Sequence, residues 1–453
     1  TSDPDSIDEN AALIAEHLEA AGDLSAAYHW AMRAGTWSIR RDVAAARLSW
    51  ERARQIADAL PDTNPDCIAM RIAPRTKLCG SAWRGVQPNV AGLVEELREL
   101  CALAGDNASL AIGLIALALQ LGFDGNMREA YRLADEHIAL LESIDNPTLT
   151  IGATSAAVSI KHETGDMTDI LRWSQSVIDW ADANPITDSP TVPGSPLIAL
   201  ALVWRGIARW WLGRDGWRQD LEDAVAMAPH ADPITHPSVV SWKYLDAIAH
   251  GVLRADDTAL RELEGALRVA EASGEEVQLG TMKFALGRAL ADRDAPAERQ
   301  RGLEMLTQVR EMSLLHRYST IYLPVLELYT AREAARLGDY EDAIPAMHKA
   351  VNDLFGAGQV MYGIWGRSTL AEALLKRGAD GDMAEARGVV DSLAKLPDDV
   401  SGIVRDIWLL RLRALLAKAH GDEGGYRDLR DRYRATAISL GFEGHMQWAA
   451  EMA

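Results

Sequence analysis

The sequence of 453 residues contains few cysteines, few phenylalanines and no long uninterrupted apolar segment. Its three cysteines, Cys67, Cys79 and Cys101, stand 12 and 22 residues apart. This spacing fits neither a CxxC redox pair nor a zinc knuckle, and it excludes a disulfide scaffold. We expect three small buried thiols in the reducing environment of the cytoplasm.

The longest stretch without a charged residue covers residues 107–123 and includes Asn107, Ser109 and Gln120. Its 17 residues fall short of the roughly 20 apolar residues that span a bilayer. The sequence therefore predicts a buried helix here and no membrane partner.

Basic residues are also in short supply. The chain has 46 lysines and arginines against 66 acidic residues, a net charge of −20. Such a charge repels a phosphate backbone, so a nucleic-acid partner is disfavoured. With 48% hydrophobic and 25% charged residues, the chain can still bury a full core, which excludes a disordered or collagen-like protein.

The sequence is instead rich in repetition. Counting from Gly125, Gly165 and Gly338, small or apolar residues recur at offsets of 2, 5, 6, 9, 12, 13 and 16. From Gly125 these positions hold Met127, Ala130, Tyr131, Ala134, His137, Ile138 and Leu141. The offsets follow one face of a 3.6-residue helix, and a strand with a period of two cannot produce them.

A glycine followed by aspartate separates successive helical stretches. Such pairs occur at residues 22–23, 165–166, 338–339 and 421–422. Glycine supplies the left-handed residue that ends one helix, and aspartate can cap the next. The turns are mostly 39 to 48 residues apart, which predicts about ten or eleven helical hairpins.

The predicted fold class is all-α, a TPR-like α-α superhelix (solenoid) that resembles the tetratricopeptide class. We expect each hairpin to contact only its neighbours. The whole chain, residues 1–453, is predicted to be a single elongated repeat domain. The proline-rich segment 184–196 is predicted to be a loop that separates two possible arms, residues 1–183 and 197–453.

Sequence motifs for catalysis are missing. There is no GxxxxGK[ST] phosphate loop, no GxGxxG after a strand and no HExxH on a helix. His137 occupies a core-facing repeat position, and the acidic pairs 256–257 and 275–276 fall at predicted helix starts, where they complement the helix dipole. We expect no catalytic residue, no metal ligand and no cofactor in this chain.

Tryptophan is the unusual component: there are fourteen, and seven fall within residues 173–242. Tryptophan beside arginine can line a pocket for an apolar or anionic ligand through stacking and cation–π contacts. The alternative is that these bulky rings fill the gaps between hairpins. The candidate ligand-binding residues are Trp204, Arg205, Arg209, Trp210, Trp211, Trp217 and Trp242.

Three segments and the opening of the chain carry a family resemblance. They are MRIAPRTKLCGSAW at 70–83, ARWWLGRDGWR at 208–218, the stretch from AHGD at 419–422 to SLGFEGHM at 439–446, and IAEHLEAAGD at 14–23. Together they resemble the C-terminal helical-repeat region of actinobacterial, especially mycobacterial, multidomain proteins. In that family a class III adenylate/guanylate cyclase domain precedes an ATPase of the AAA or STAND type, and the repeats follow.

The resemblance implies a regulatory sensor in a cytoplasmic signalling protein. Its concave face would bind a protein, peptide or small molecule, and the adjoining ATPase and cyclase domains would be its partners within one longer polypeptide. The chain has neither the metal-binding aspartates of a cyclase nor a phosphate loop, so no catalytic residue carries over and this chain is not expected to be an enzyme. Two alternatives stay open: a self-contained TPR-like scaffold, and the same module in an ATPase-type transcriptional regulator.

Overall fold

The fold is all-α in the computed structural model of the chain, which describes residues 4–39, 41–61, 63–82, 89–144, 147–183, 194–228, 234–315 and 318–452. Within these ranges the chain forms twenty-three α-helices and no β-strand. The predicted fold class is therefore confirmed.

The first eight helices cover the N-terminal third of the chain. They are α1 Pro4–Glu9, α2 Ala11–Ala20, α3 Leu24–Ser38, α4 Val43–Ala59, α5 Cys67–Gly80, α6 Val90–Ala104, α7 Asn107–Phe123 and α8 Met127–Glu142. The segment without charged residues is thus a single helix, α7, as predicted. None of the helices in the described ranges has the length and hydropathy that crossing a membrane demands.

Fifteen helices follow, with a short 3₁₀ turn at Thr320–Tyr322 before α17. They are α9 Pro147–Thr164, α10 Met167–Ala183, α11 Gly194–Trp211, α12 Trp217–Met227, α13 Thr235–Leu245, α14 Asp257–Ser273, α15 Glu276–Ala291, α16 Pro296–Leu314, α17 Leu323–Arg336, α18 Tyr340–Ala357, α19 Val360–Arg377, α20 Asp382–Ala394, α21 Asp398–Ala419, α22 Glu423–Leu440 and α23 Glu443–Glu451. Successive helices pack against one another in pairs, which confirms the predicted hairpins.

The turns between helices follow the predicted chemistry. The glycines of all four Gly-Asp pairs have positive φ, between 79° and 94°, where a side chain is disfavoured. Asp23 accepts a hydrogen bond from the Ala26 amide, and Asp422 accepts one from the Gly425 amide, at 3.1 and 2.9 Å. Asp339 makes no such capping bond, so one of the four predicted caps is missing.

The repeat positions point into the packed interior. In α8, Ala130, Ala134, His137 and Leu141 are fully buried. The His137 imidazole lies 2.8 Å from the Ala111 carbonyl oxygen, so it is a packed and bonded residue, as its core-facing position predicted.

The chain divides into two compact units by its internal packing. One consists of Thr1–Gly122 and Glu129–Ala157, the other of Phe123–Arg128 and Val158–Ala453. This division does not fall at the proline-rich segment, whose residues 184–193 lie outside the described ranges. A single elongated domain with arms 1–183 and 197–453 stays a prediction.

The core of the first unit is built from small and aliphatic side chains. One cluster joins α4, α5, α6 and α7 and contains Trp50, Leu97 and all but one of the cysteines. Cys67, Cys79 and Cys101 are free and buried, as predicted. Burial raises the pKa of Cys79 to about 12 and that of Cys101 to about 11, which keeps both thiols protonated and unreactive at neutral pH.

The second unit closes on itself. Contacts run from α11 to α13, from α13 to α15, from α17 to α19 and from α19 to α21, and α21 in turn contacts α11. Between α15 and α17, Arg288 donates a hydrogen bond to the Tyr329 hydroxyl at 3.3 Å. The expectation that hairpins contact only their neighbours is therefore wrong for this unit, because α11 also contacts α21, ten helices further along the chain.

Two glycine contacts permit this closure. Gly402 in α21 has φ 54°, and a Cβ there would lie only 2.2 Å from the Trp211 carbonyl oxygen. Gly444, at the start of α23, packs directly on Gly251, where a Cβ would lie 2.8 Å from the neighbouring Cα. Backbone bonds fix the second contact, since the His445 amide donates to the Gly251 carbonyl at 3.0 Å. Any larger side chain at either position would force the helices apart.

Candidate functional site

A cavity of about 590 Å³ lies within the second unit. Its walls come from the turn after α13, the turn after α15 with the first residues of α16, the carboxyl-terminal parts of α17 and α19, and residues of α18, α21 and α23. Cavities that hold small molecules in proteins commonly measure about 300 to 1,000 Å³. The size is therefore that of a small-molecule site.

The floor of the cavity is apolar and buried. Ile248, Met347, Trp365, Ala373 and Trp408 line it, and each is less than 9% exposed. These side chains come from the turn after α13 and from α18, α19 and α21, so the floor exists only when the hairpins are assembled.

Arginines lie against the aromatic rings of the lining. The Arg332 guanidinium is 4.6 Å from the Tyr329 ring centre and 5.5 Å from that of Trp365. The Arg411 guanidinium is 5.1 Å from the Trp448 ring centre. Stacking restricts these long side chains, so their charges are held in place before any ligand arrives.

Three of the arginines that line the cavity are neutralised by ion pairs with carboxylates. Arg332 pairs with Asp292 at 2.6 Å and Arg411 pairs with Glu372 at 2.7 Å. A third pair, between Arg293 and Glu298, has a distance of 2.9 Å. These three arginines have carboxylate partners, and we do not count their charges as available to a ligand.

The entrance carries charges of both signs. Arg254, Arg336, Lys376, Asp294 and Glu451 line the cavity and are exposed. Neither Arg254 nor Lys376 forms an ion pair with any described residue.

Arg336 is the basic residue of the entrance that is partly engaged. It donates to the Ala291 carbonyl at 3.0 Å and lies 3.4 Å from Glu333. Arg332 donates to the same carbonyl at 3.2 Å, so two guanidinium groups converge on one oxygen. Burial and the nearby charge of Arg332 hold the pKa of Arg336 below its ordinary value.

A buried polar network leads inward from the cavity. Asp292 accepts a hydrogen bond from the Tyr329 hydroxyl at 3.3 Å, and Tyr329 in turn accepts one from Arg288. Arg288 lies 3.4 Å from Asp246, whose second oxygen lies 3.2 Å from His162 Nε2 in α9. An unbroken series of polar contacts therefore joins the cavity wall to α9.

Burial alone would raise the pKa of Asp246, but the nearby His162 and the charge of Arg288 hold it below its ordinary value. The adjacent Glu163 has a raised pKa because it is buried, and it accepts hydrogen bonds from Tyr322 and Gln359, each at 3.1 Å. A buried ionisable group that loses a hydrogen-bond or ion-pair partner is costly in free energy, so substitutions in this network should destabilise the fold.

The sequence-predicted ligand residues lie elsewhere in the second unit, and none of them lines this cavity. Trp204 is buried against Trp242, with ring centres 4.6 Å apart, and His162 contacts both rings at 5.1 and 5.3 Å. Trp242 is half-buried.

The two predicted arginines share one carboxylate. Arg205 pairs with Asp220 at 2.7 and 3.0 Å, and Arg209 pairs with it at 2.7 Å. Asp220 is buried, so this arrangement ties α11 to α12. A charge-assisted fork of this kind is stable in the absence of ligand.

The remaining predicted tryptophans are part of the closure. Trp210 and Trp211 are 0% exposed, and both rings contact that of His250. Trp217 donates from Nε1 to the Leu440 carbonyl at 3.3 Å. These contacts are those of packed side chains, and a role of the seven residues in ligand binding stays a prediction.

Metal chemistry has no visible basis in the described part of the chain. No group of three or more His, Cys, Asp or Glu side chains there has the arrangement of a metal site. The acidic pair at 256–257 serves the helix instead, because Asp256 accepts hydrogen bonds from the Thr258 and Ala259 amides, both at 2.9 Å.

One feature of the sequence could have revealed the cavity. The basic residues Arg254, Arg293, Arg336 and Lys376 are 39, 43 and 40 residues apart, which is the repeat period. All four line the cavity. A basic residue that recurs at the same place in successive hairpins indicates one shared surface, whereas tryptophan density does not distinguish a lining from a core.

Comparison with known proteins supplies no family. No protein-family model matches the chain, and no curated protein matches it. Among solved structures, the chain is similar to a circular tandem repeat protein with novel repeat topology and enhanced subunit contact surfaces. The identity is 14%, the match covers 99% of this chain and 90% of that chain, and the TM-score is 0.17, too low to support any argument.

Proposed function

We propose that the chain is a ligand-binding regulatory module, and that the cavity of the second unit is its binding site. The observation that carries this proposal is the cavity itself, with a volume suited to a small molecule and an apolar floor below a charged entrance. The seven residues around Trp204–Trp242 are the sequence-based alternative for the site.

The position of the cavity explains how binding would act on the rest of the module. Its lining comes from several hairpins of a closed unit, so a ligand contacts more than one hairpin at once. A ligand shifts a conformational equilibrium by its difference in affinity for the two states. Occupancy would therefore favour the arrangement in which all these hairpins are assembled.

We further propose that the module belongs to a multidomain signalling protein in which it regulates an AAA or STAND ATPase and a class III nucleotide cyclase. The support is the resemblance of residues 14–23, 70–83, 208–218 and 419–446 to the repeat region of such proteins. In the full-length protein, deletion of residues 1–453 is expected to change the ATPase and cyclase rates. Unchanged rates would refute this coupling.

Native mass spectrometry of the purified chain tests the binding site directly. Ala295 is exposed on the cavity lining, and Ala297, two residues further on, is exposed but does not line it. We expect the wild type and Ala297→Trp to carry the same bound small molecule, and Ala295→Trp to lose it. If Ala295→Trp retains the molecule as well as its neighbour does, the ligand lies outside this cavity.

A further inference from the structure

The geometry points to the class of ligand, an inference that rests on the proposed function. We propose that the cavity binds an amphipathic organic anion, with a flat apolar body on the floor and a carboxylate or phosphate at the entrance. Arg254, Arg336 and Lys376 would contact the anionic group.

The distribution of burial sets the orientation of such a ligand. The floor residues, among them Met347 and Trp365, are buried and apolar, while the entrance residues are exposed and charged. A ligand that is apolar throughout would make no ion pair with the entrance residues. A ligand that is polar throughout would place polar groups against the apolar floor without hydrogen bonds, which costs free energy. A molecule with one apolar end and one charged end matches both.

The sign of the charged end follows from the pairing of the lining residues. Arg254 and Lys376 have no carboxylate partner among the described residues, and the partner of Arg336, Glu333 at 3.4 Å, does not line the cavity. The lining therefore has these three basic residues against two acidic residues, Asp294 and Glu451, that have no basic partner in the described ranges. This excess stands out in a chain whose net charge is −20. An anion is therefore attracted locally although the protein as a whole repels it.

Basic residues at helix carboxyl termini can instead neutralise the helix dipole. That explanation fits Arg336 and Lys376, which lie in the last turns of α17 and α19. Arg332 and Arg336 of α17 donate to Ala291, the last residue of α15. Arg254 and Lys376 donate to no carbonyl within the described ranges. The dipole therefore accounts for the position of Arg336 and Lys376 but not for Arg254, which lies between α13 and α14.

The regular spacing of the basic residues adds an independent argument. Arg254, Arg336 and Lys376 come from three different hairpins and, with Arg293 between the first two, recur at the repeat period, and all of them line one cavity. Capping of each helix by its own basic residue does not require that these residues line the same cavity. One anionic group at the entrance would receive charge-assisted hydrogen bonds from separate hairpins, and it would hold them together.

Arg332 and Arg336 lie close enough for their positive charges to repel each other, and a bound anion would reduce this repulsion. Both guanidinium groups donate to one neutral carbonyl oxygen, and the pKa of Arg336 is lowered by burial and by the charge of Arg332. An anion beside Arg336 would offset this repulsion. Binding should accordingly weaken as the salt concentration rises.

A matched series of naphthalene probes tests the proposal by calorimetric titration of the whole chain. 1-Naphthoate and 1-naphthyl phosphate carry the anion, 1-naphthamide is neutral, and 1-naphthylmethylammonium is cationic. We expect at least one of the two anions to bind about tenfold tighter than the amide, since charged hydrogen bonds add about 1.4 kcal/mol or more. The two anions distinguish carboxylate from phosphate recognition.

Variants locate the anionic group. Arg336→Ala and Lys376→Ala should each weaken the preferred anion several-fold and leave the amide unchanged, and Arg336→Lys should restore part of the loss. Arg301→Ala is the control, because Arg301 forms a surface ion pair with Glu264 and does not line the cavity. An equal loss in Arg301→Ala would show a general charge effect and overturn the assignment.

The outcomes separate this inference from the proposed function. Equal binding of the amide and both anions, lost in Ala295→Trp, would overturn the anionic class and leave the cavity as a ligand site. Preference for the ammonium probe would also overturn it. If no probe binds and native mass spectrometry finds no bound molecule, both the anionic class and the ligand site are wrong.

Discussion

Two regions of the second unit contain tryptophan beside arginine, yet they have opposite characters. Around α11 and α12, Trp210 and Trp211 are inaccessible, and two arginines share the buried carboxylate of Asp220. At the cavity, Arg254 and Lys376 are exposed without ion-pair partners among the described residues. In the first region the arginines are already ion-paired within the protein, whereas in the second region two basic side chains can still bind a ligand.

Composition alone therefore does not identify a binding site. A ligand must replace interactions with water, and it gains little from groups that are already paired. The tryptophan-rich region has the composition of a pocket and the contacts of a core. The cavity lining also contains tryptophan, but it includes Arg254 and Lys376, which form no ion pair with any described residue.

The largest expected effect is on the packed region. Trp210→Ala should lower the free energy of unfolding by about 3 to 5 kcal/mol, because it removes a fully buried ring from the closure. Chemical denaturation measures the loss. Leu337→Ala, at a side chain that is 77% exposed, is the control and should change stability by less than about 0.5 kcal/mol.

The predictability of the fold was uneven. The helix at residues 107–123, the Gly-Asp turns and the buried cysteines followed from local periodicity and turn chemistry. The closure did not, because contacts between α11 and α21 join residues nearly two hundred positions apart and carry no local period. Gly402 resembles any other glycine in the sequence.

The second largest expected effect is a loss of stability at acidic pH, which arises from His250 in the packed region. Burial lowers the pKa of His250 to about 4, while Asp246 beside it raises that value and Arg288 lowers it. The unfolded chain then binds more protons than the folded chain between about pH 6.5 and pH 4, so stability falls as the pH drops through this window. The shift corresponds to about 3 kcal/mol.

Denaturation midpoints across this window, with His250→Asn as comparison, check the effect. The variant should show a shallower pH dependence, with the remainder contributed by His445, whose pKa burial also lowers. An identical pH dependence in both proteins would contradict the assignment to His250.

A smaller loss is expected from Asp220→Ala. It leaves Arg205 and Arg209 without their shared carboxylate, and since both are partly exposed the expected loss is about 2 kcal/mol rather than the larger cost of a fully buried pair. Asp223→Ala on the same helix is the matched control, because Asp223 is exposed and bonds only Gln219 among the described residues. Equal losses in the two variants would remove the distinction between the regions.

The smallest expected effect on stability is at the cavity entrance. Arg254→Ala and Lys376→Ala should each change the free energy of unfolding by less than about 0.5 kcal/mol, because neither side chain has a partner to lose in the described fold. Thermal unfolding without added probe measures this. A loss comparable to that of Asp220→Ala would mean that these charges are structural.

The site was harder to predict than the fold for a physical reason. Residue type shows which interactions a side chain can make, but only packing shows whether they are already made. Arg205 and Lys376 are both basic residues near tryptophans, and residue type does not distinguish them. They differ because Arg205 pairs with the carboxylate of Asp220, 15 residues further along the chain. The recurrence of basic residues at the repeat period predicts a shared surface, but it does not distinguish the paired Arg293 from the unpaired Lys376.

Hydrogen–deuterium exchange with and without the preferred naphthalene anion tests the central claim most directly. We expect slower exchange on binding in segments 253–255, 292–298, 332–340 and 444–451, which contain the lining residues of the cavity wall, and no change in residues 204–218. Protection confined to residues 204–218, with none around the cavity, would contradict it.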